Sequence, residues 1–484
     1  MRGVGTLARH GRGGTTGQPS RLRVGWAGVL VAVLLTAPAS AQERPVEAER
    51  TARSGPGTAL SLTLDEALAY AAGANPAIRQ ADNSASLNAA ESRSLWFTQL
   101  LPSASLTLFE TGFRGNLRRR ALDNFGNPIP NPGAAWNYFS DTSHRFGLSW
   151  TIQGPSLLQA HRTQALTNDD RELAVRGALT DVQAQVQRLY MDALEQRELM
   201  MAEDALIEAR QIDLDVAQRL FELALRTRVD VLSAELQLEQ QRLTRQQQEG
   251  AYQRALLALR TAMGLSEDRA LELSDEPLPL FAAAGLDADA LIARASEVNP
   301  GLLRSDVAMR TSEVALARRR ADWWPEVNLG MSVFKVAYEP YGEALFEPPG
   351  TSELESQFYV QLSFPILNGY FQSQVERDRA AVELQNSREQ DRQARLELDE
   401  AIRGALLDLE NEWASLQLAQ RSLDIAEEAL RLAREEYRLG TRTFSDLRDS
   451  FQQEADTRRS VITTRHRFVD ALLTLEAAVG ASVR

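Results

Sequence analysis

The sequence predicts a mainly α-helical, tandemly duplicated fold: long antiparallel helices plus four transmembrane β-strands per chain. Three observations predict it. From Ile366 to Arg484, 119 residues contain no proline and one clear break, at Tyr437–Asp449. A weaker copy of that break, Phe221–Asp230, lies 216 residues earlier. Each half also carries two stretches of apolar/polar alternation about 8 to 11 residues long, the length of tilted strands that cross a bilayer.

The chain opens with a segment foreign to that plan. Residues 1–23 hold five arginines and no acid, Val24 to Leu35 is apolar, and Ala39-Ser40-Ala41 supplies small residues. This is the pattern of a cleaved signal peptide, 1–41. An anchor is the alternative reading, but about 12 apolar residues are too few for roughly 30 Å of hydrocarbon. A polar leader follows over 42–60.

The first repeat spans 61–265. A helical pattern starts at Leu64, is interrupted at Asn75-Pro76 and ends before Pro102, because proline disfavours helix at the residue before it. Strands are expected at about 103–110 and 144–152. Ala104, Leu106 and Leu108 share one face of the first, and Phe146, Leu148, Trp150 and Ile152 one face of the second. Residues 110–143, with glycine and proline throughout, read as a loop. After Pro155 no proline appears until Pro277. Leu179, Val182, Val186 and Leu189 recur there at spacings of three and four, the seam of packed helices. A helix from Ser156 to Leu223 is about 100 Å long at ~1.5 Å per residue, which demands side-by-side partners. The tip 221–230 interrupts it, and the second helix ends at Gly264.

A proline-rich connector, 266–286, leads to the second repeat, 287–481. Asn299-Pro300 answers Asn75-Pro76 and Trp324-Pro325 answers Leu101-Pro102, at offsets of 224 and 223. Strands are expected at about 326–336 and 357–366. Val327, Leu329, Met331 and Val333 share a face in the first, and Phe358, Val360, Leu362 and Phe364 in the second. A long helix with Ile402, Leu406, Leu409, Trp413 and Leu416 at its seam runs to the tip 437–449. The last helix ends at Gly480, 216 residues after its twin. A two-repeat chain follows.

Four strands cannot close a barrel, and an open sheet edge in lipid leaves backbone groups unpaired. The chain must therefore pool strands with copies of itself. Trp323, Trp324, Phe109, Phe334 and Tyr338 lie near strand ends, where an aromatic belt belongs. A sandwich with one wet face is the competing reading of alternation alone.

Composition removes several function classes. No cysteine is present, which excludes disulfides and a lipid-carrying cysteine. Formal net charge is −13, and about −18 without the N-terminal arginines, a poor match for nucleic acid. His10, His144, His161 and His466 lack metal-ligand spacing, no phosphate loop follows a strand, and acids at helical spacing are solvated faces. No enzyme, cofactor or metal site is expected.

The chain resembles the TolC-like outer-membrane efflux proteins. The resemblance rests on Leu64-Asp65-Glu66-Ala67-Leu68 before Asn75-Pro76, Leu-Pro-Ser at 101–103, Phe364-Pro365-Ile366-Leu367-Asn368-Gly369, and the tip 437–449. It covers about Leu62 to Ala481. It implies a homotrimer closing a 12-stranded barrel in the outer membrane, above an α-helical tunnel through the periplasm. A periplasmic adaptor and an inner-membrane pump, of the resistance-nodulation type or an ABC exporter, then feed the duct. The alternatives are a type I secretion duct for proteins and, in another class, a secreted coiled-coil scaffold.

The resemblance also implies roles at the tips. Asp230 accepts from Arg442 and Tyr437 to latch the periplasmic end. Asp446 and Asp449, three residues apart on one face, form acidic rings by threefold repetition. Ala224, Leu225, Arg226, Gly440 and Thr441 form the adaptor-docking surface. Helix capping is the other reading: Ser445 and Asp446 begin the last helix and Asp230 the helix after the first tip. The sequence departs from the family pattern at Ala224, where glycine is usual, at Val229, where a hydroxyl residue assists the latch, and by adding Arg226 and Arg228.

Overall fold

A computed structural model describes residues 60–119, 127–128, 130, 133–152, 154–265, 271–274, 280, 285–322, 324–340, 355–364, 366 and 368–483. All lie in the unit Ser54–Arg484. The expected signal peptide, the leader up to residue 59, most of the connector, and Trp323 lie outside the described residues, as do the side chains of Phe109 and Tyr338.

Among the described residues the elements run β1 (Leu60–Leu62), α1 (Leu64–Ala74), α2 (Pro76–Ser86), α3 (Asn88–Leu100), β2 (Ser103–Arg119), β3 (Ala134–Ile152), α4 (Gly154–Glu222) and α5 (Arg228–Met263). Then follow β4 (Leu271–Leu273), α6 (Ala288–Val298), α7 (Pro300–Ala321), β5 (Glu326–Pro340), β6 (Glu355–Ser363), α8 (Asn368–Arg438) and α9 (Phe444–Val479).

The Asn-Pro pairs have a double task. Asn75 ends α1 and caps α2, accepting from Ala77 N, while its amide donates to Ala262 O at 2.6 Å near the end of α5. Asn299 does the same in the second repeat, accepting from Leu302 N and donating to Ala478 O at 2.9 Å. Gly264 and Gly480 end α5 and α9 in the left-handed region. A Cβ on Gly264 meets Ala74 O at 2.8 Å, so the contact with Asn75 requires glycine there.

The four-stranded sheet has the order β2-β3-β5-β6, antiparallel throughout, and β3–β5 pairing joins the two repeats. Register aligns the alternation across it. Ala104, Leu148, Met331 and Phe358 form one row, and Ile152, Val327 and Leu362 another. The opposite face carries Ser103, Ser149, Gly330 and Tyr359 in one row, and Thr151, Asn328 and Gln361 in the next. Gly330 leaves room for the Tyr359 ring, which a Cβ meets at 2.1 Å. Among the described residues, Leu106, Phe358 and Val360 of the apolar face are exposed, Phe358 to 71%, while Phe146, Leu148 and Leu329 are half-buried.

The strands differ from the alternation. β2 and β3 continue to Arg119 and from Ala134, through much of the expected loop, and β6 stops before Phe364. Beyond Thr107 the register shifts once, and the β2–β3 ladder continues to the pair Arg119 and Ala134. β1 pairs in parallel with β4, and the buried Tyr190 donates to Leu62 O at 2.8 Å. The three-residue β1 and β4 carry no pattern long enough to predict.

The helices pack as α4·α5 and α8·α9 hairpins around two apolar clusters. One includes Val186, Tyr190, Leu194, Leu259, Leu409 and Phe468. The other lies at the turns and includes Leu214, Val231, Leu430, Tyr437, Phe444 and Phe451. Fully burying side chains of this size contributes roughly 1.5–3 kcal/mol each.

Candidate functional site at the helix tips

The turns joining α4 to α5 and α8 to α9 are one motif used twice. Ala224 N donates to Phe221 O and Leu225 N to Leu220 O; Gly440 N donates to Tyr437 O and Thr441 N to Glu436 O. This double closure places one residue in the left-handed region. Gly440 takes it at φ 83°, and Ala224 at φ 58°, the one non-glycine with positive φ among the described residues. Alanine there carries a steric cost that glycine avoids.

Threonine starts the next helix in both tips. Thr227 Oγ1 accepts from Asp230 N, and Asp230 accepts from Thr227 N at 3.1 Å. Thr443 Oγ1 accepts from Asp446 N at 3.2 Å, and the Asp446 carboxylate accepts from the Thr443 hydroxyl at 2.7 Å. These are reciprocal capping boxes. The N-caps are therefore Thr227 and Thr443, not Ser445 or the aspartates, which sit third in their helices. The Thr443 bond holds the Asp446 carboxyl below its usual range.

Arg226 joins the two tips. Its guanidinium donates to Tyr437 O and Arg442 O, both at 2.8 Å, and lies 4.3 Å from the Tyr437 ring centroid. Tyr437 is buried against Phe444, and its hydroxyl has no hydrogen-bond partner. Burial, reinforced by the Asp230 carboxylate, pushes the phenol pKa up.

A charged layer lies beside the tip core. Arg210 on α4 is 5% exposed and stacks 4.2 Å from the Phe451 ring of α9. Arg434 on α8 stacks on the same ring at 4.8 Å and pairs with Asp213 at 3.5 Å. Burial raises Asp213 to about 6 against the pull of both arginines, and lowers Arg210. Further along, the buried Glu203 receives Gln241 and Arg459, the latter at 2.6 Å. His466, buried with Nε2 3.3 Å from Glu198, is held neutral by burial down to about 4.

Within one chain Asp230 does not accept from Arg442 or Tyr437: its carboxylate closes its own cap, and Arg442 pairs with Glu436 at 3.2 Å. Arg442, Asp446 and Asp449 do line one concavity of about 290 Å³ with Ser450 and Gln453, and Asp449 pairs with Arg448. Ala224, Leu225, Gly440 and Thr441 are exposed; Arg226 is half-buried by its bonds to the second tip. Leu223, Leu225, Val229 and Leu439 leave an apolar rim around the turns. Sequence reading passed over Asp213, Arg210, Arg434 and Phe451. The stripe Glu203, Leu206, Arg210, Leu214, Ala217 contained the signal, since two charges occupy seam positions there.

Among the described residues no helix is long and apolar enough to cross a membrane, and no group of acids and histidines forms a metal site. Residues 291–481 match the family model of outer membrane efflux proteins. No curated protein matches the chain in sequence. In structure it is similar to the outer-membrane channel OprN, with 13% identity, TM-score 0.70, and 87% of this chain and 90% of that one covered. It is likewise similar to the CmeC outer membrane channel of Campylobacter jejuni, with 14% identity, TM-score 0.66, and 86% and 85% covered. The open-state MtrE outer membrane channel of Neisseria gonorrhoeae is a third, with 16% identity, TM-score 0.65, and 87% and 89% covered.

Proposed function

We propose that this chain, a member of the outer-membrane efflux protein family, is one protomer of a homotrimeric exit duct closed at its helix tips. The chain is a transport component of the outer membrane and not an enzyme. The observation that carries the reading is the sheet. Among the described residues the four antiparallel strands align one apolar face, exposed at Leu106, Met331, Phe358 and Val360, and leave β2 and β6 as the edges of the sheet. In lipid such edges must pair, and three copies joined β6 to β2 make a closed barrel.

Below the barrel, α4/α5 and α8/α9 supply the tunnel wall. The tips carry the gate: Asp230, Tyr437 and Arg442 latch neighbouring hairpins, and Asp446 and Asp449 contribute acidic rings that bind cations. The exposed rim at Ala224, Leu225, Gly440 and Thr441 receives a periplasmic adaptor, which couples the duct to an inner-membrane pump in a tripartite assembly. Export through the signal peptide 1–41, with no lipid anchor, completes the route. Fractionation tests this reading. A heat-modifiable trimer in the outer membrane supports it; a monomeric rod in the soluble periplasmic fraction refutes it.

A further inference from the structure

The groove between the short and the long helix is filled differently in the two repeats. At the offset of 223 residues that relates Trp324-Pro325 to Leu101-Pro102, Arg318-Arg319-Arg320 of α7 answer Leu95-Trp96-Phe97 of α3. Trp96 stacks on His161 of α4 with ring centroids 4.4 Å apart, so aromatic rings lie between α3 and α4. Between α7 and α8 the same place is an open cleft of about 1010 Å³. Arg319 and Arg320 line it from α7, Tyr370 and Arg377 from α8, and Phe364 and Ile366 from the segment joining β6 to α8. Phe364, one residue past β6, continues by parity the apolar row of Phe358, Val360 and Leu362. The cleft therefore opens at the foot of the sheet's apolar face, and Ile366 in its wall is 78% exposed. The acids around it are already engaged: Asp322 and Glu376 lie 3.3 and 3.9 Å from Arg319, and Asp378 3.9 Å from Arg377. Arg320 is exposed and has no ion pair among the described residues.

We infer that this cleft holds the headgroup of an anionic phospholipid of the periplasmic leaflet, its phosphate on Arg320 and Arg377 and its acyl chains against Phe364 and Ile366. The inference rests on the barrel reading, in which the apolar face of the sheet meets lipid. Where that face ends, hydrocarbon gives way to headgroups, and a basic cleft at that depth meets phosphate. A guanidinium donates parallel N–H groups to phosphate oxygens in a fixed fork. Tyr370, with an apolar ring and a polar hydroxyl, suits the same boundary. A headgroup of zero net charge brings its own cation toward Arg320 and gains less than a negative one.

Native mass spectrometry of the purified full-length protein tests it, with phosphatidylglycerol and phosphatidylcholine added separately in detergent. Wild type is expected to hold phosphatidylglycerol the more tightly. Arg320→Gln should weaken that binding about fivefold, and Arg320→Gln with Arg377→Gln about 30-fold, since each arginine near a lipid surface contributes about fivefold. Binding of phosphatidylcholine should stay as it is. Phosphatidylglycerol binding equal in wild type and double variant, both trimeric, overturns the lipid site and leaves the duct standing. Inorganic phosphate that competes at the same concentration as the lipid marks a free-anion site and overturns the lipid assignment. A monomer that enters no membrane overturns both readings. Ser373 also lines the cleft, and the chain has no cysteine, so Ser373→Cys supplies a sole thiol with the arginines intact. A water-soluble maleimide should label it in the lipid-free trimer, and phosphatidylglycerol should slow the labelling. A thiol that stays unlabelled without lipid shows that a neighbouring copy covers the cleft, which overturns the site.

Discussion

Arg434 lies 3.5 Å from Asp213 and on the ring of Phe451, an ion pair that ties α8 to α4 beside the tip core. Burial still raises Asp213 to about 6, above its unfolded value of 3.8. A raised carboxyl contributes stability that is complete below about pH 4 and lost as pH rises through 6. The two-unit difference corresponds to about 3 kcal/mol. The Tm of wild type minus that of Asp213→Asn should therefore fall between pH 4 and pH 6 and be flat above 7.

His466 acts in the opposite sense. Its folded value of about 4 lies below the unfolded 6.5, so its contribution is complete above pH 6.5 and lost as pH falls through 4. His466→Gln should remove an acid-side loss of about 3 kcal/mol. Because both groups titrate across the same window with opposite signs, the wild-type pH profile is expected to be flatter than that of either variant.

Ala224 occupies a left-handed position that its twin fills with glycine. Relief of the backbone clash is worth ~1–2 kcal/mol, and the freedom of glycine in the unfolded chain offsets part of it. Ala224→Gly should raise hydrogen-exchange protection at amides 223–227 by about 0.5–1 kcal/mol. Ala224→Val should lower it. A change of the opposite sign in either variant contradicts the strain.

Glu203 is 2% exposed and holds Arg459 and Gln241 from two other helices. Glu203→Ala leaves those donors without their acceptor and should cost about 3 kcal/mol in chemical unfolding. The double replacement Glu203→Met with Arg459→Met should cost far less than Glu203→Ala.

Much of this architecture could be read before any coordinates. Repeats are legible because the breaks that separate helices are chemical: Asn75-Pro76 and Asn299-Pro300, or Gly264 and Gly480, where backbone geometry admits few residues. The strand faces were legible where one side turns apolar. They stopped being legible past Thr107, where the register shifts and glycines and charged residues interrupt the alternation. At the tips the sequence displayed the charged residues but not their partners. Asp230 and Asp446 serve Thr227 and Thr443, local capping partners that hydrophobic periodicity does not encode. Arg226 stood out as a docking-surface residue and as a departure from the family pattern, not as a link between the two tips. The contact with Tyr437 spans 211 residues, and only the packing of both hairpins brings it together.

The central claim is a duct held shut at these tips, and single-channel recording tests it most directly. Purified trimers in planar bilayers should show a low conductance in wild type. Arg226→Gln and Arg442→Ser should each raise it severalfold, since both loosen contacts between hairpins. A conductance equal in wild type and both variants contradicts a gate at the tips, and the absence of any pore contradicts the duct.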